Sequence, residues 1–314
     1  QGMHLPVQED ETALVIWALW NHFHIYRDIE FIKPLYKPLI KAAADFMLQY
    51  RERRTGLPYP SYDLWEERRG ILTFTTASVV AGLRAAANFA KAFGEMEKYS
   101  AYMEGASQIK DAIVEHLYSE KAGRFLRMIA PVNGDFQNDD TVDASLFGSF
   151  YFGVFDASDP RVESTMQAVR EQLSVRTRVG GIARYTGDPY QRVSDNDQNV
   201  PGNPWFICTL WMAQYEIARA RAFAELQEPL RILDWVGRHA LSSGVLAEQV
   251  HPYTGEPLSV SPLTWSHATF ALVVLEYLKK LEELAVPRPG RKAVSCKHNR
   301  PQSLHRWIAA GHPE

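Results

Sequence analysis

Cysteine is scarce in this chain. Cys208 lies in an apolar helical stretch and Cys296 in a polar tail, and there are no others. A disulfide framework is therefore excluded as the source of stability, and the compartment stays open. A basic excess is also missing. Lys and Arg number 34 against 37 Asp and Glu, a formal charge of −3. Nucleic-acid binders usually carry a strong positive balance, so no nucleic-acid partner is expected. No apolar run is long enough to span a bilayer as a helix, so no membrane partner is expected either. His22 and His24 stand two apart on a helical stretch and point in different directions, so they are not read as a metal pair. Neither a metal nor a cofactor is expected. The beginning, QGMHLPVQEDE, lacks a charged-then-apolar leader pattern, and Gln1 precedes Met3. The chain thus reads as a piece of a longer protein.

Helical periodicity is abundant. It predicts nine helices, at residues 12–26, 32–50, 73–93, 95–118, 141–155, 160–173, 203–223, 229–241 and 264–284. Asp159-Pro160 is a start signal for the sixth, and Asp139-Asp140 reads as an N-cap for the fifth. Short strands are expected at RFLRMIA and GIARY, as local hairpins. Short and long connections alternate, giving a helix pair plus a long loop as the repeating unit. The odd-numbered helices are apolar nearly all round, as in ALVIWALW, FICTLWM and ATFALVVL, which predicts burial. The even ones are amphipathic. Two concentric layers follow, with every long loop gathered at one end. Residues 1–285 form this unit, and the Pro-, Arg- and His-rich 286–314 reads as an irregular tail.

Aromatics stand near Pro, Gly and Asn, as in DLWEE, NPWF and LTWSH. Flat rings pack on the C–H faces of sugars, while acids and amides bind hydroxyls, so such loops fit a carbohydrate site. Closing the core is the ordinary job of any single Trp. Two loops carry acids. Residues 53–72 hold Asp63, Glu66 and Glu67. Residues 243–263 hold Glu248 and Glu256, with Gln249, Tyr253 and Ser259. A carboxyl group from each loop, facing across a pocket, is the equipment of glycoside hydrolysis. Arg68 and Arg69 read as a solvated charge run, Glu256 as a turn acid, and Asp195 and Asp197 as loop residues.

SYDLWEERRG followed by TFTTA, then GNPWF, then AEQ…GEPLS…LTWSHA, together resemble glycoside hydrolase family 15, which contains glucoamylases, glucodextranases and some trehalases. The resemblance runs from about Leu5 to Leu284. It implies an all-α (α/α)6 barrel with active-site loops at one end, and an α-glucan or α-glucoside substrate. It implies Glu66 as general acid and Glu248 as general base of an inverting mechanism. Glu67 then resembles a ligand of sugar hydroxyls, Arg184 a substrate-binding arginine, and Trp205 and Trp265 sugar-contacting aromatics. Asp63 and Trp65 would shape the surroundings of the acid, with Trp65 partly burying Glu66. Gln249 follows the base, Ser259 resembles the group that holds it, and Asp10 matches an acid that opens an inner helix. The family pattern has twelve helices and a Trp-x-Arg-Asp loop that grips the terminal sugar. Nine helices and no such loop are read here. The barrel is therefore expected to be incomplete, with the first and last helices lacking neighbours on one side. A missing N-terminal portion or another chain would cover that edge.

Overall fold

The computed structural model describes residues 7–285. The 286–314 tail lies outside the described residues. Helix α1 spans Glu9–Tyr26, α2 Ile29–Leu35 and α3 Ala42–Gln49, with a π-helical turn, Tyr36–Lys41, between α2 and α3. The expected single helix 32–50 contains Pro34 and Pro38. A proline has no N–H for the helical ladder and crowds the preceding turn, and the wider π turn takes up the mismatch. Then follow α4 (Thr73–Ala92), α5 (Met96–His116), α6 (Gly148–Tyr151), α7 (Pro160–Leu173), α8 (Phe206–Arg219), α9 (Gln227–His239) and α10 (Thr264–Ala285). The fifth expected helix is much shorter than its periodicity predicts. Asp143, not Asp139 or Asp140, accepts the N–H of Ser145 and caps a 3-10 turn over Ala144–Phe147. Gly153, at a φ of 69°, closes the stretch shortly after α6.

Helices α1, α4, α6, α8 and α10 pack on one another in chain order and form the inner layer. Helices α3, α5, α7 and α9 cover them from outside. Nearly every residue of α4 and α8 is buried, as all-round apolarity predicts. Close approach is built into α4 by Gly82, where an added Cβ would lie 3.0 Å from the backbone of Ala13 on α1. Phe147 stacks on Trp211 at 4.2 Å between the 3-10 turn and α8. Each large side chain buried in this way contributes about 1.5–3 kcal/mol, far more than helix propensity supplies. The two ends of the inner arc differ from its middle. Ile25 of α1 is 70% exposed and Leu275 of α10 is 65% exposed.

At RFLRMIA the local hairpins expected from the sequence are present, 124–125 pairing with 118–119 and 128–132 with 135–139. The GIARY strand forms no local hairpin and joins a longer-range ladder. Residues 182–183, 204–205, 249–250 and 257–258 form one antiparallel ladder drawn from separate loops. A second ladder joins 61–62, 69–72, 128–132 and 135–139. The first of these ladders ties the loop following α7 to the loop preceding α10. The second ties the loop preceding α4 to the one that follows α5.

Candidate active site

Asp63 organises the acid-bearing loop. Its Oδ1 accepts the backbone N–H groups of Glu67 at 2.8 Å and Arg68 at 3.1 Å, and its carbonyl accepts that of Glu66 at 2.9 Å. Burial pushes the Asp63 carboxyl above the usual range, against the pull of the two N–H donors. Within this turn Glu66 takes a φ of 60°. The left-handed region costs a non-glycine residue about 1–2 kcal/mol and persists only where neighbours over-determine it.

Trp65 and Glu66 have opposite surroundings. Trp65 is buried, and its indole N–H lies 3.1 Å from Oδ2 and 3.2 Å from Oδ1 of Asp143. Glu66 is exposed, so the partial burial against Trp65 expected from the sequence is not found. The indole turns inward because its N–H has a buried carboxylate to meet. The Asp143 carboxyl is raised to about 6 by complete burial, with the Ser145, Arg127 and Trp65 contacts pulling it down.

Glu67 is held at both oxygens. Arg184 Nη2 donates to its Oε1 at 2.6 Å, and the Tyr185 hydroxyl donates to its Oε2. Arg184 also donates to both oxygens of Asp188, at 2.8 and 2.6 Å. Its guanidinium sits among the rings of Trp65, Tyr185, Tyr190 and Trp205, each centroid between 4.9 and 5.3 Å away. Burial would lower its basicity, but the bonds from Asp188 and Glu67 win and hold it above the ordinary arginine value. Arg68 and Arg69 are exposed.

Trp65 packs against Trp205, Trp211 and Trp265, at centroid distances of 5.7, 5.8 and 6.3 Å. The first three of these indoles are buried, whereas Trp265 is 40% exposed and offers an open ring face. Trp205 pairs with Gln249 in the ladder, and Glu248 precedes Gln249. The wall of indoles therefore brings the loop of Glu66 and the loop of Glu248 to the same end of the barrel.

Glu248 is fixed through its main chain and its side chain. Its N–H donates to Val260 at 2.8 Å and its carbonyl accepts from Phe206 at 3.3 Å. Ser259, at a φ of 64°, donates its hydroxyl to Glu248 Oε2. The Tyr190 hydroxyl lies 3.3 Å from Ser259 Oγ. The serine proton is committed to Glu248, so Tyr190 is the donor in that contact. Gln249 is fully buried, with its Oε1 accepting from Asn203 at 2.7 Å. Among the described residues, Asp63 Oδ2, Asn203 Oδ1, Trp205 Nε1 and Gln249 Nε2 are buried without a hydrogen-bond partner. Unpaired buried polar atoms are costly, and their clustering here marks this end as specialised.

Asp10 opens the inner helix α1 and accepts from the Thr75 hydroxyl at 3.1 Å. Burial raises it to about 6, and raises its neighbour Glu9 to about 8. Five residues at this end were not picked out from the sequence: Arg127, Asp143, Tyr185, Asp188 and Tyr190. Tyr185 directly follows Arg184 in GIARY, which was a usable signal. The other four are recognisable only through contacts distant in sequence or inside a turn. Among the described residues, no group of three or more His, Cys, Asp or Glu is arranged to hold a metal.

An arc of inner helices sheathed by outer ones, with acidic and aromatic loops at one end, is the architecture of an (α/α)6 barrel. The family model described as glycosyl hydrolases family 15 matches residues 4–234 and 217–274, and the chain belongs to that family. An uncharacterized glycosyl hydrolase of Methanocaldococcus jannaschii is 30% identical over 86% of this chain and 42% of its own length. Glucoamylase 1 of Rhizopus oryzae is 23% identical over 86% of this chain and 51% of its own. The solved structure of a bacterial glucoamylase complexed with acarbose superposes with a TM-score of 0.72 at 24% identity, covering 89% of this chain and 42% of that one. The chain thus spans about half the length of the curated relatives it matches.

Proposed function

We propose that the site performs inverting, exo-acting hydrolysis that releases glucose from α-linked glucans or oligosaccharides. The carrying observation is the junction of the two loops through Trp65, Trp205 and Gln249, which gathers Glu66 and Glu248 at one end. The glucoamylase relative supports glucose release from an α-glucan. Glu66 gives its proton to the glycosidic oxygen as the bond from that oxygen to the anomeric carbon breaks. Glu248, ionised, takes a proton from a water on the opposite face of the sugar, and the water oxygen bonds to the anomeric carbon. Ser259 occupies Oε2 of Glu248, which leaves Oε1 to orient that water. Inversion needs room for the water, so the two carboxyl groups are expected about 6.5–9.5 Å apart. Arg184, held rigid by Asp188 and Glu67, presents a preset donor to sugar hydroxyls, and the open face of Trp265 takes a sugar ring.

The test is maltotriose hydrolysis followed by NMR of the first anomer released. β-Glucose is expected. Glu66→Gln and Glu248→Gln should each lower kcat by at least about 10²–10⁴-fold, the usual contribution of one acid or base. First release of α-glucose, or full turnover in Glu248→Gln, refutes the assignment. Cleavage of trehalose in place of maltotriose moves the substrate to the trehalase branch of the same family.

A further inference from the structure

Glu66 is exposed and in a strained conformation, yet an acid catalyst must be held to a fraction of an ångström. The structure contains a device that restrains both of its neighbours at once. On one side, the Trp65 indole N–H meets the Asp143 carboxylate. On the other, Glu67 accepts from the Tyr185 hydroxyl, and Arg127 lies 5.3 Å from the centre of the Tyr185 ring. Arg127 Nη1, buried without a hydrogen-bond partner, stands 3.9 Å from Asp143 Oδ2, so that charge attraction and not a hydrogen bond closes the circuit. Asp143 and Arg127 are both buried, and Asp139 fixes Arg127 from behind through Nε and Nη2. Asp143 has a second duty, because its Oδ1 caps the 3-10 turn through Ser145 N–H at 2.8 Å. Asp143 thus anchors the strut to the turn that leads into the inner helix α6, and Asp139 anchors it to the hairpin that follows α5.

We infer that Asp143 and Arg127 are positioning residues for Glu66, forming a buried charged strut that links the residues on its two sides. Neither touches the substrate. They act by keeping Trp65 and Glu67 in register, so that the left-handed turn between them has one geometry. A carboxylate and a guanidinium buried in partial contact are costly unless geometry is well satisfied, and here that cost falls next to the acid. The inference rests on Glu66 being the acid, and two separate readouts distinguish failure of the strut from failure of that assignment.

The first readout needs no activity. In Asp143→Asn, amide hydrogen exchange at Glu67 and Arg68, whose N–H groups are held by Asp63, should be faster than in the parent chain by about tenfold, as expected when a locally closed turn loosens. Arg127→Met should do the same, and serves if Asp143→Asn fails to fold. Unchanged exchange in a folded variant overturns the inference. The second readout compares two substrates. Leaving maltotriose requires a proton from the acid, whereas fluoride leaves α-glucosyl fluoride with little help. Misplacing the acid by about an ångström costs roughly 10²-fold. The variants should therefore lose about 10–100-fold in kcat on maltotriose, with KM little changed, and less than about threefold on the fluoride. Equal losses on both substrates mean general damage to the fold and overturn the positioning role. A parent chain inactive on both substrates, with exchange still faster in the variants, sinks the proposed reaction and leaves the strut standing.

Discussion

Replacing Arg184 by Met strands Asp188, which is buried and accepts from no other charged group, only from the Tyr190 N–H. Breaking one partner of a buried pair costs about 3–5 kcal/mol. Urea unfolding of Arg184→Met should show a loss of that order, while an effect under about 1 kcal/mol would mean that the aromatic rings alone organise this corner. Glu9 gives a pH prediction of the opposite kind. Burial raises its carboxyl from 4.5 to about 8, with Asp10 beside it adding to the rise. A folded value above the unfolded one means that the native state binds the extra proton. Its stabilising share is complete below pH 4.5 and is lost as the pH climbs through about 8. Glu9→Gln cannot ionise, so it should be more stable than the parent near pH 8 and should flatten the decline. Urea midpoints measured from pH 5 to pH 8 decide this, and parallel curves for the two proteins would refute it.

At the scale of elements, the α1–α4 crossing is the tightest place to probe. Gly82→Val puts side-chain atoms where the Ala13 backbone already lies, at 3.0 Å from the added Cβ. Overpacking of this kind costs about 1–3 kcal/mol, so the melting temperature should fall by several degrees. An unchanged melting temperature would show that α1 slides without penalty. The helices were legible because burial leaves a periodic trace: α4 and α8 are apolar all round, and α7 announces itself with Asp159-Pro160. The pairings between separate loops were not legible. Their strands are mostly two residues long, and partners such as Trp205 and Gln249 are set by the tertiary fold. The site divides along the same line. Glu66, Glu67 and Glu248 stood out because they sit in recognisable local motifs. Asp143 did not, because TVDASLF reads as the first turns of a helix already capped by Asp139-Asp140, and its partners Trp65 and Arg127 come from earlier loops. The exposure of Glu66 was missed for the same reason. Only the destination of the neighbouring indole reveals it.

At the scale of the whole molecule, the first and last inner helices keep large apolar side chains in solvent. Ile25 and Tyr26 of α1, with Leu272, Leu275 and Leu278 of α10, are exposed among the described residues. Apolar patches of this kind mark surfaces that seek a cover. The chain on its own should therefore associate as its concentration rises. Sedimentation velocity should show that growth, and Ile25→Lys with Leu275→Lys should suppress it. A concentration-independent monomer would refute the expectation.

The ladder that joins 182–183, 204–205, 249–250 and 257–258 has a consequence for how such a site can change. Arg184, Trp205 and Glu248 each sit in or beside one of its rungs, so none can be re-aimed without dragging the others. A variant that must accept a different sugar has little freedom in these strands. Freedom lies in the outer part of the connecting loop, 193–198, between Tyr190, which contacts Ser259, and Asn203, which holds Gln249. Changes of length there leave every rung paired. Diversification of substrate preference should therefore be written in the span of that loop, while the rungs stay fixed as common machinery.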